Sequence, residues 1–320
     1  MSKKYLYYKA INWNEIEDEL DNATWERATS LFWLDTRIPI ENDKEKWNNL
    51  STEEQNLLNK SLILLTNLST FQSIEVCEVI RNSARSQQEV AIFNNIQFTE
   101  MVNTKAYNKV LRVFNNNQKQ VDELFTWVDN NEKVQKRLET VEAVYRTNDP
   151  IKKRFSALCV EGILVYSQLA NLLSFWVEKK FVNLGEMIKM IILNESLHCI
   201  YLTHKITLLL ETASEADAAH FRKWALEQTI LTVNQEIELI SITGLNNDLK
   251  NIAINLIKNE ANTVLSSLGI EEHFSVSETT LKNIYPVLNR IRKHDLTPQN
   301  VKQVKQVELE KVMSDDDYDF

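Results

Sequence analysis

The residues best suited to chemistry in this sequence are isolated acids and one histidine inside apolar segments. Glu195 and His198 lie three residues apart within MIKMIILNESLHCIYL. Residues at this spacing share one face of a helix, so the pair can direct a carboxylate and an imidazole at one ion. The Glu-x-x-His pattern also occurs in many solvated helices. The apolar flanks favour an inward-facing pair, since a buried charge without a partner is costly.

Two further acids occur in similar surroundings. Glu161 lies in CVEGILVY and Glu100 in FNNIQFTEMV. An interior carboxylate needs a cation, a proton or a hydrogen-bond donor. Three isolated acids and one histidine on three apolar helices are typical of a four-helix carboxylate bundle, in which side chains from facing helices bind metal in the core.

The ligand set of such a bundle is incomplete here. The helix of Glu100 carries Asn103 where the pattern requires a histidine, and the helix before it offers Ser69 where an acid is expected. Neither an amide nor a hydroxyl is a strong ligand for a hard ion. The remaining three carboxylates and one imidazole suffice for a single Fe or Mn ion with water. Without metal, at least one of these acids should hold a proton.

A tyrosine follows the first acid on the same helical face. Tyr107 is seven residues after Glu100 and four after Asn103. Most buried tyrosines are structural, but one beside a metal site is a candidate redox residue.

The elements that must position these residues are predicted to be helices. Only four glycines and four prolines occur in 320 residues, too few for a many-stranded sheet. Ser51 and Glu54 form a candidate capping box, and Pro150 suits a first helical turn. Gly185 is interpreted as the turn before the helix of Glu195. We predict helices over 14–34, 51–86, 88–115, 118–145 (one or two), 150–180, 186–210, 214–242, 245–267 and 277–292.

Composition excludes several classes of protein. The net charge of −9 argues against a nucleic-acid surface. The N-terminus lacks the apolar core of a secretory signal, and no apolar run long enough to span a membrane was recognised, so a cytoplasmic protein is expected. The cysteines are widely spaced and odd in number, which favours buried thiols over disulfides; they are Cys77, Cys159 and Cys199.

The chain end differs in composition from the rest. Residues 1–300 are expected to form one helical domain, and residues 301–320 are polar and end in SDDDYDF. A solvated, disordered terminus is one interpretation. The other is a docking peptide in which Tyr318 and Phe320 are aromatic anchors for a partner.

These motifs together resemble a known family, the small radical-generating subunit of class I ribonucleotide reductase in its shorter bacterial form. The resemblance covers nearly the whole chain and rests on motifs in the expected order: Ala10–Asn14, Phe32–Leu34, Glu54–Gln55, Leu64–Gln72, Phe98–Tyr107, Glu161–Gly162, Ile191–His198 and the acidic tail.

The resemblance implies an all-α, ferritin-like four-helix-bundle core with additional helices, usually as a homodimer. A metal centre oxidises a tyrosine, and the radical passes to a large α subunit that makes deoxyribonucleotides for DNA replication. By position, Tyr107 corresponds to the radical tyrosine, Trp33 to the first relay residue and Tyr318 to the docking tail. A flavodoxin-like activase is a further candidate partner. The resemblance also suggests an apolar pocket around the tyrosine, formed by Val165, Leu169 and Ile191.

Departures from the family concern the metal ligands and the relay. The six ligand positions fall on Ser69, Glu100, Asn103, Glu161, Glu195 and His198, so an aspartate and a histidine are lost. Asn194 replaces the aspartate that connects the relay tryptophan to the metal centre. The leading hypothesis is a small subunit with an altered Fe or Mn site that is mononuclear, metal-poor or metal-free. The alternative is a degenerate structural or regulatory subunit that pairs with an intact paralogue. A ferritin-like oxidase unconnected with nucleotides is a third hypothesis.

Overall fold

The computed structural model describes residues 9–243, 247–294 and 296, with no side-chain placement for Cys77. Within these ranges the chain is helical and has no β-strand, so the all-α prediction is confirmed. The predicted tail with Tyr318 lies outside the described residues.

The α-helices are α1 Glu19–Ser30, α2 Lys44–Asn48, α3 Thr52–Phe71, α4 Cys77–Arg81, α5 Gln87–Phe114, α6 Gln118–Asp129, α7 Glu132–Tyr145, α8 Pro150–Cys159, α9 Val165–Lys179, α10 Val182–Glu211, α11 Glu215–Ile242, α12 Asn247–Ser267, α13 Glu278–Leu281 and α14 Tyr285–Ile291.

Two wide helical turns interrupt the long helices. A π-helical turn, Gln72–Val76, joins α3 to α4, and a second one, Val160–Leu164, joins α8 to α9. Each inserts one extra residue per turn, which shifts the face that the following side chains present. Such turns occur often at functional sites.

Four long helical units form the ferritin-like core. They are α3, α5, the continuous unit α8–α9 and α10. Helix α3 packs against α5 and α9, while α10 packs against α8, α9 and α5. The remaining helices cover this bundle from outside.

Local sequence signals explain where the core helices begin. The Ser51 hydroxyl accepts a hydrogen bond from the backbone of Glu54, and the Glu54 carboxylate accepts one from the backbone of Ser51, so the predicted capping box is confirmed. Asp149 caps α8, with Pro150 in its first turn. These caps satisfy backbone N–H groups that have no partner within the helix.

Several predicted boundaries are corrected. Gly185 lies inside α10 and does not mark a turn; the chain turns instead at Lys180, whose φ is 61°. Glycine is needed at 185 because a Cβ there would lie 2.3 Å from Nε1 of Trp176. The first helix begins at Glu19 rather than at residue 14, and the predicted helix over 277–292 is two short helices.

The expectation about membrane-spanning runs also needs correction. Two helical units, Thr52–Arg81 and Pro150–Lys179, are long and apolar enough to cross a membrane by length and composition. The most apolar window of Pro150–Lys179 is 100% buried inside the structure, and that of Thr52–Arg81 is 59% buried. Their apolar character is what a helix at the centre of a bundle requires.

Candidate metal centre and its tyrosine

Three core helical units bring the predicted acids together. Glu100 lies on α5, Glu161 in the π-helical turn between α8 and α9, and Glu195 with His198 on α10. Each of the four offers a ligand atom within 4.8 Å of the others, and all four side chains are buried. The convergence expected from the sequence is therefore present. We call these four residues the acid cluster.

Close polar contacts link three members of the acid cluster to each other, and hydrogen bonds link two of them to amides. Nδ1 of His198 lies 3.2 Å from Oε2 of Glu161 and 3.9 Å from Oε2 of Glu195. Nε2 of Gln72 donates to Oε1 of Glu161 at 2.5 Å. Nδ2 of Asn103 donates to Oε1 of Glu195 at 3.1 Å. One oxygen of each of these two acids is thus held by an amide, and the other faces the imidazole.

Several polar atoms of the cluster have no hydrogen-bond partner. They include both carboxylate oxygens of Glu100, Oε2 of Glu195 and Nε2 of His198. Buried polar atoms in folded proteins are nearly always paired, so three unpaired carboxylate oxygens within one cluster need an explanation. Three carboxylates and one imidazole form a donor set that suits Fe or Mn. A bound cation would satisfy these acceptors.

Burial and mutual repulsion control the charge of the cluster. Burial raises the pKa of Glu100 to about 8, and the nearby charge of Glu161 adds to this rise. Burial, followed by the charges of Glu100 and Glu161, raises the pKa of Glu195 well above its usual value. Burial also opposes ionisation of Glu161, but contacts with Glu195 and His198 outweigh it and lower its pKa. Without a cation, Glu100 therefore retains its proton at neutral pH, and burial and repulsion also favour the protonated form of Glu195.

Both positions with missing ligands lie at the cluster. Ser69 and Asn103 are buried, and both are close enough to Glu100 to oppose the rise of its pKa. These contacts are looser than a hydrogen bond of good geometry, since neither oxygen of Glu100 has such a partner. The structure thus contains one half with two carboxylates and an imidazole, and a second half in which Glu100 is accompanied only by a hydroxyl and an amide.

Tyr107 is enclosed in the core next to the acids. Its side chain is fully buried, and its hydroxyl has no hydrogen-bond partner. Burial raises its pKa well above the usual value, and the charges of Glu195 and Glu100 raise it further. The phenol therefore stays protonated. The residues predicted to form its apolar surroundings are all buried in the same hydrophobic core: Val165, Leu169 and Ile191.

Trp33 and Asn194 are not linked by a hydrogen bond. Trp33 is buried, but its Nε1 has no hydrogen-bond partner. The amide of Asn194 instead donates to the backbone oxygen of Met190 at 2.9 Å. The ammonium of Lys105 lies 3.5 Å from Oδ1 of Asp35.

Two buried residues beside the cluster were missed by the sequence analysis. Gln72 contacts Glu161, and Tyr145 donates to Oε1 of Gln72 at 3.1 Å. Gln72 follows Ser69 by three residues, and this spacing on one helical face could have revealed it. No comparable signal exists for Tyr145, because it lies on α7, outside the four core units.

Comparison with known proteins extends these observations to the whole chain. The family model described as ribonucleotide reductase, small chain, matches residues 10–281. Ribonucleoside-diphosphate reductase subunit beta of Mycobacterium leprae is 30% identical over 275 residues, 84% of this chain and 83% of that protein. Ribonucleoside-diphosphate reductase 2 subunit beta of Escherichia coli is 29% identical over 269 residues, 83% of each chain.

A solved structure agrees with these matches. The crystal structure of Streptococcus sanguinis dimanganese(II)-NrdF is 32% identical and superposes with a TM-score of 0.83, covering 90% of this chain and 100% of that one. Sequence and fold therefore agree over the same long region. The chain belongs to the ribonucleotide reductase small-chain family, whose members are oxidoreductase subunits that act with a large subunit.

Proposed function

We propose that this small subunit binds one Fe or Mn ion in the acid cluster and supplies an oxidising equivalent from Tyr107 to its large subunit. The observation that carries the proposal is the convergence of four buried donor side chains within 4.8 Å. The family match connects this site to the conversion of ribonucleotides to deoxyribonucleotides. When bound, the ion supplies the redox chemistry that protein side chains lack.

The ligands in this proposal are the four members of the acid cluster. Glu161, Glu195 and His198 form the complete half of the family pattern, and Glu100 adds a carboxylate from the opposite helix. The raised pKa values of Glu100 and Glu195 mean that binding a cation releases protons from these acids. The site is therefore built for a positive charge that the chain itself does not provide.

Asn103 supports the choice of one ion over two. Its amide donates to Oε1 of Glu195 at 3.1 Å, from the position where the family pattern has a histidine ligand. A donated hydrogen bond stabilises the charged form of a carboxylate, as a cation would, though more weakly. Asn103 thus acts as a neutral replacement for part of the missing metal half.

Tyr107 is the proposed radical residue. A phenol with a raised pKa keeps its proton, so oxidation to a neutral radical must remove one electron and one proton together. Glu195 and Glu100 are the acids whose charges most affect this phenol, and they are the proposed proton acceptors once a bound cation has displaced their own protons. Burial keeps water and reductants away from the ring.

Trp33 remains the proposed start of the relay to the large subunit, and the tail with Tyr318 the proposed docking segment. Small subunits of this family usually form homodimers. A homodimer, a flavodoxin-like activase and a cytoplasmic location are proposals for this chain.

The docking role of the tail can be tested by deletion. Removing residues 301–320 should abolish large-subunit binding, measured by surface plasmon resonance, and leave metal content unchanged.

The decisive experiment is metal stoichiometry combined with anomalous scattering. Wild-type protein loaded with Mn(II) is expected to hold one ion per chain at the acid cluster, and His198→Ala should hold none. Restoring the family ligands with Ser69→Asp and Asn103→His in one variant should raise the number of ions from one to two. Equal stoichiometry in all three proteins would contradict the proposed site.

Electron paramagnetic resonance tests the tyrosine. The metal-loaded protein is activated with oxygen in a buffer without reductant, or with an activase. Wild-type protein should then show a tyrosyl signal that Tyr107→Phe lacks. Because Phe is closely similar in shape, the variant should bind metal normally, which separates loss of the radical from loss of the site.

A second candidate function is supported by the losses at Ser69, Asn103 and Asn194. On this hypothesis the chain is a structural or regulatory subunit that pairs with an intact paralogue. Co-expression with a complete small subunit would then give heterodimers, and the tyrosyl signal would come from the partner alone. A radical on this chain when it is purified by itself would exclude this alternative.

A further inference from the structure

A chain of hydrogen bonds leads from the acid cluster to a second buried tyrosine. The hydroxyl of Tyr145 donates to Oε1 of Gln72 at 3.1 Å, and Nε2 of Gln72 donates to Oε1 of Glu161 at 2.5 Å. Oε2 of Glu161 then faces Nδ1 of His198 at 3.2 Å. All four side chains are buried. Both oxygens of Glu161 therefore have assigned neighbours, one outside the cluster and one inside it.

Both ends of this amide–carboxylate contact lie in the π-helical turns. Gln72 is the first residue of the turn Gln72–Val76, and Glu161 lies in the turn Val160–Leu164. The extra residue in each turn changes the direction of the side chains that follow it. Here the two irregular turns meet through the contact of an amide with a carboxylate.

Tyr145 decides which end of the Gln72 amide faces the acid. A protonated phenol donates one hydrogen bond, and the amide oxygen is the end that can accept it. The amide nitrogen is then left to donate to Glu161, and it lies 2.5 Å from Oε1. The ring of Tyr145 stacks on Phe71 at 6.1 Å with an interplanar angle of 14°, which restricts the phenol to this position.

We propose that Gln72, oriented by Tyr145, is a positioning residue for the ion ligand Glu161. Its amide holds Oε1, so that Glu161 presents a single oxygen, Oε2, toward His198 and the ion. This inference rests on the proposed ion site. Groups that orient a metal ligand typically contribute about 10–100-fold to metal affinity.

Three variants separate this role from general packing. Gln72→Met keeps a side chain of similar length and removes both hydrogen bonds. Tyr145→Phe removes only the hydroxyl that orients the amide. Tyr201→Phe is the matched control. Tyr201 is also fully buried, and its hydroxyl donates a hydrogen bond to Oδ1 of Asp21 at 2.8 Å, which is not part of the hydrogen-bonded path from Tyr145 to Glu161.

The first measurement is Mn(II) affinity by calorimetry, together with the spectrum of the bound Mn(II) by electron paramagnetic resonance. Gln72→Met should weaken binding by about 10–100-fold and change the spectrum, because Glu161 is free to rotate. Tyr145→Phe should give a smaller loss with the same spectral change. Tyr201→Phe should match wild type in both. The proposal is overturned if Gln72→Met and Tyr145→Phe both bind Mn(II) with wild-type affinity and give the wild-type spectrum. If Gln72→Met does not fold, the result for Tyr145→Phe decides.

A second measurement does not depend on the ion. Crystal structures of the metal-free proteins should show Oε2 of Glu161 near His198 in wild type and in Tyr201→Phe, and displaced in Gln72→Met. If wild type binds no Mn(II) but this displacement is found, the ion site fails and the positioning role stands. An unmoved Glu161 in Gln72→Met overturns the positioning role whatever the metal result.

Discussion

Buried carboxylates occur in two kinds of surroundings in this molecule. In the first kind, the chain supplies the counter-charge. Glu89 pairs with Arg154 at 2.5 Å, and Glu236 pairs with Arg137 at 3.3 Å, with all four side chains at most 1% exposed. These acids tie distant parts of the bundle together, and their charges are balanced within the fold.

The acid cluster is the second kind. Its three acids are equally buried, but Glu161 and Glu195 share one nearby basic group, the imidazole of His198. Glu100 has no hydrogen-bond partner on either oxygen. The same protein therefore balances buried acids fully in one place and leaves them short of positive charge in another. This difference supports the proposal that the cluster receives an external cation.

The largest effect should come from breaking a balanced pair. Arg154→Leu leaves the Glu89 carboxylate buried without its partner, so we expect a loss of about 3–5 kcal/mol in the free energy of unfolding. Urea denaturation measures it. The folded variant should still bind Mn(II) like wild type, because the pair lies outside the cluster. If Arg154→Leu lowers the free energy of unfolding by less than about 1 kcal/mol, the proposed difference between the arginine-paired acids and the acid cluster is contradicted.

The next effect should come from supplying the missing cation. Free Mn(II) at 100 times its dissociation constant should stabilise the wild-type protein by about 2.7 kcal/mol, since the ion binds the folded chain. His198→Ala is the control and should gain little. The same urea experiment, with and without Mn(II), measures both. If Mn(II) stabilises wild type and His198→Ala equally, the ion binds outside the acid cluster.

The pH dependence of stability should also distinguish the cluster. The folded-state pKa of Glu100 is raised from 4.5 to about 8, so the folded chain holds this proton more tightly than the unfolded one. Its contribution to stability is therefore complete below pH 4.5 and is lost as pH rises through about 8. Metal-free Glu100→Gln should lose less stability over this range than wild type. Urea unfolding at a series of pH values checks this, and parallel curves would contradict it.

The smallest effect should come from a change outside both regions. Ser51→Ala removes the hydroxyl that caps α3, and we expect a loss of about 1 kcal/mol. Mn(II) affinity should be unchanged, which calorimetry checks. A large loss of Mn(II) affinity in Ser51→Ala would contradict this prediction. It would mean that the geometry of the acid cluster depends on the N-terminal cap of α3.

Much of the fold could be predicted from local signals. The capping box at Ser51 and the proline at 150 marked two core helices correctly, because helix starts depend on nearby residues. Gly185 was misread for the opposite reason. Its small size serves contact with Trp176 on the preceding helix, and the spacing of residues along the chain does not show such a contact.

The sequence alone determined which residues could form the site. Acids isolated in apolar helices have to face the core, and the spacing of Glu195 and His198 places both on one side of a helix. The absent ligands at Ser69 and Asn103 were equally visible, since ligand chemistry depends on residue type.

Only the tertiary structure decided how these groups meet. The hydrogen bond from Asn103 to Glu195 and the support of Glu161 by Gln72 both join residues far apart in the chain. Such contacts depend on helix packing and on π-helical turns, in which one extra residue redirects every side chain that follows. Helical periodicity predicts the face on which a residue lies, whereas packing in three dimensions selects its partner.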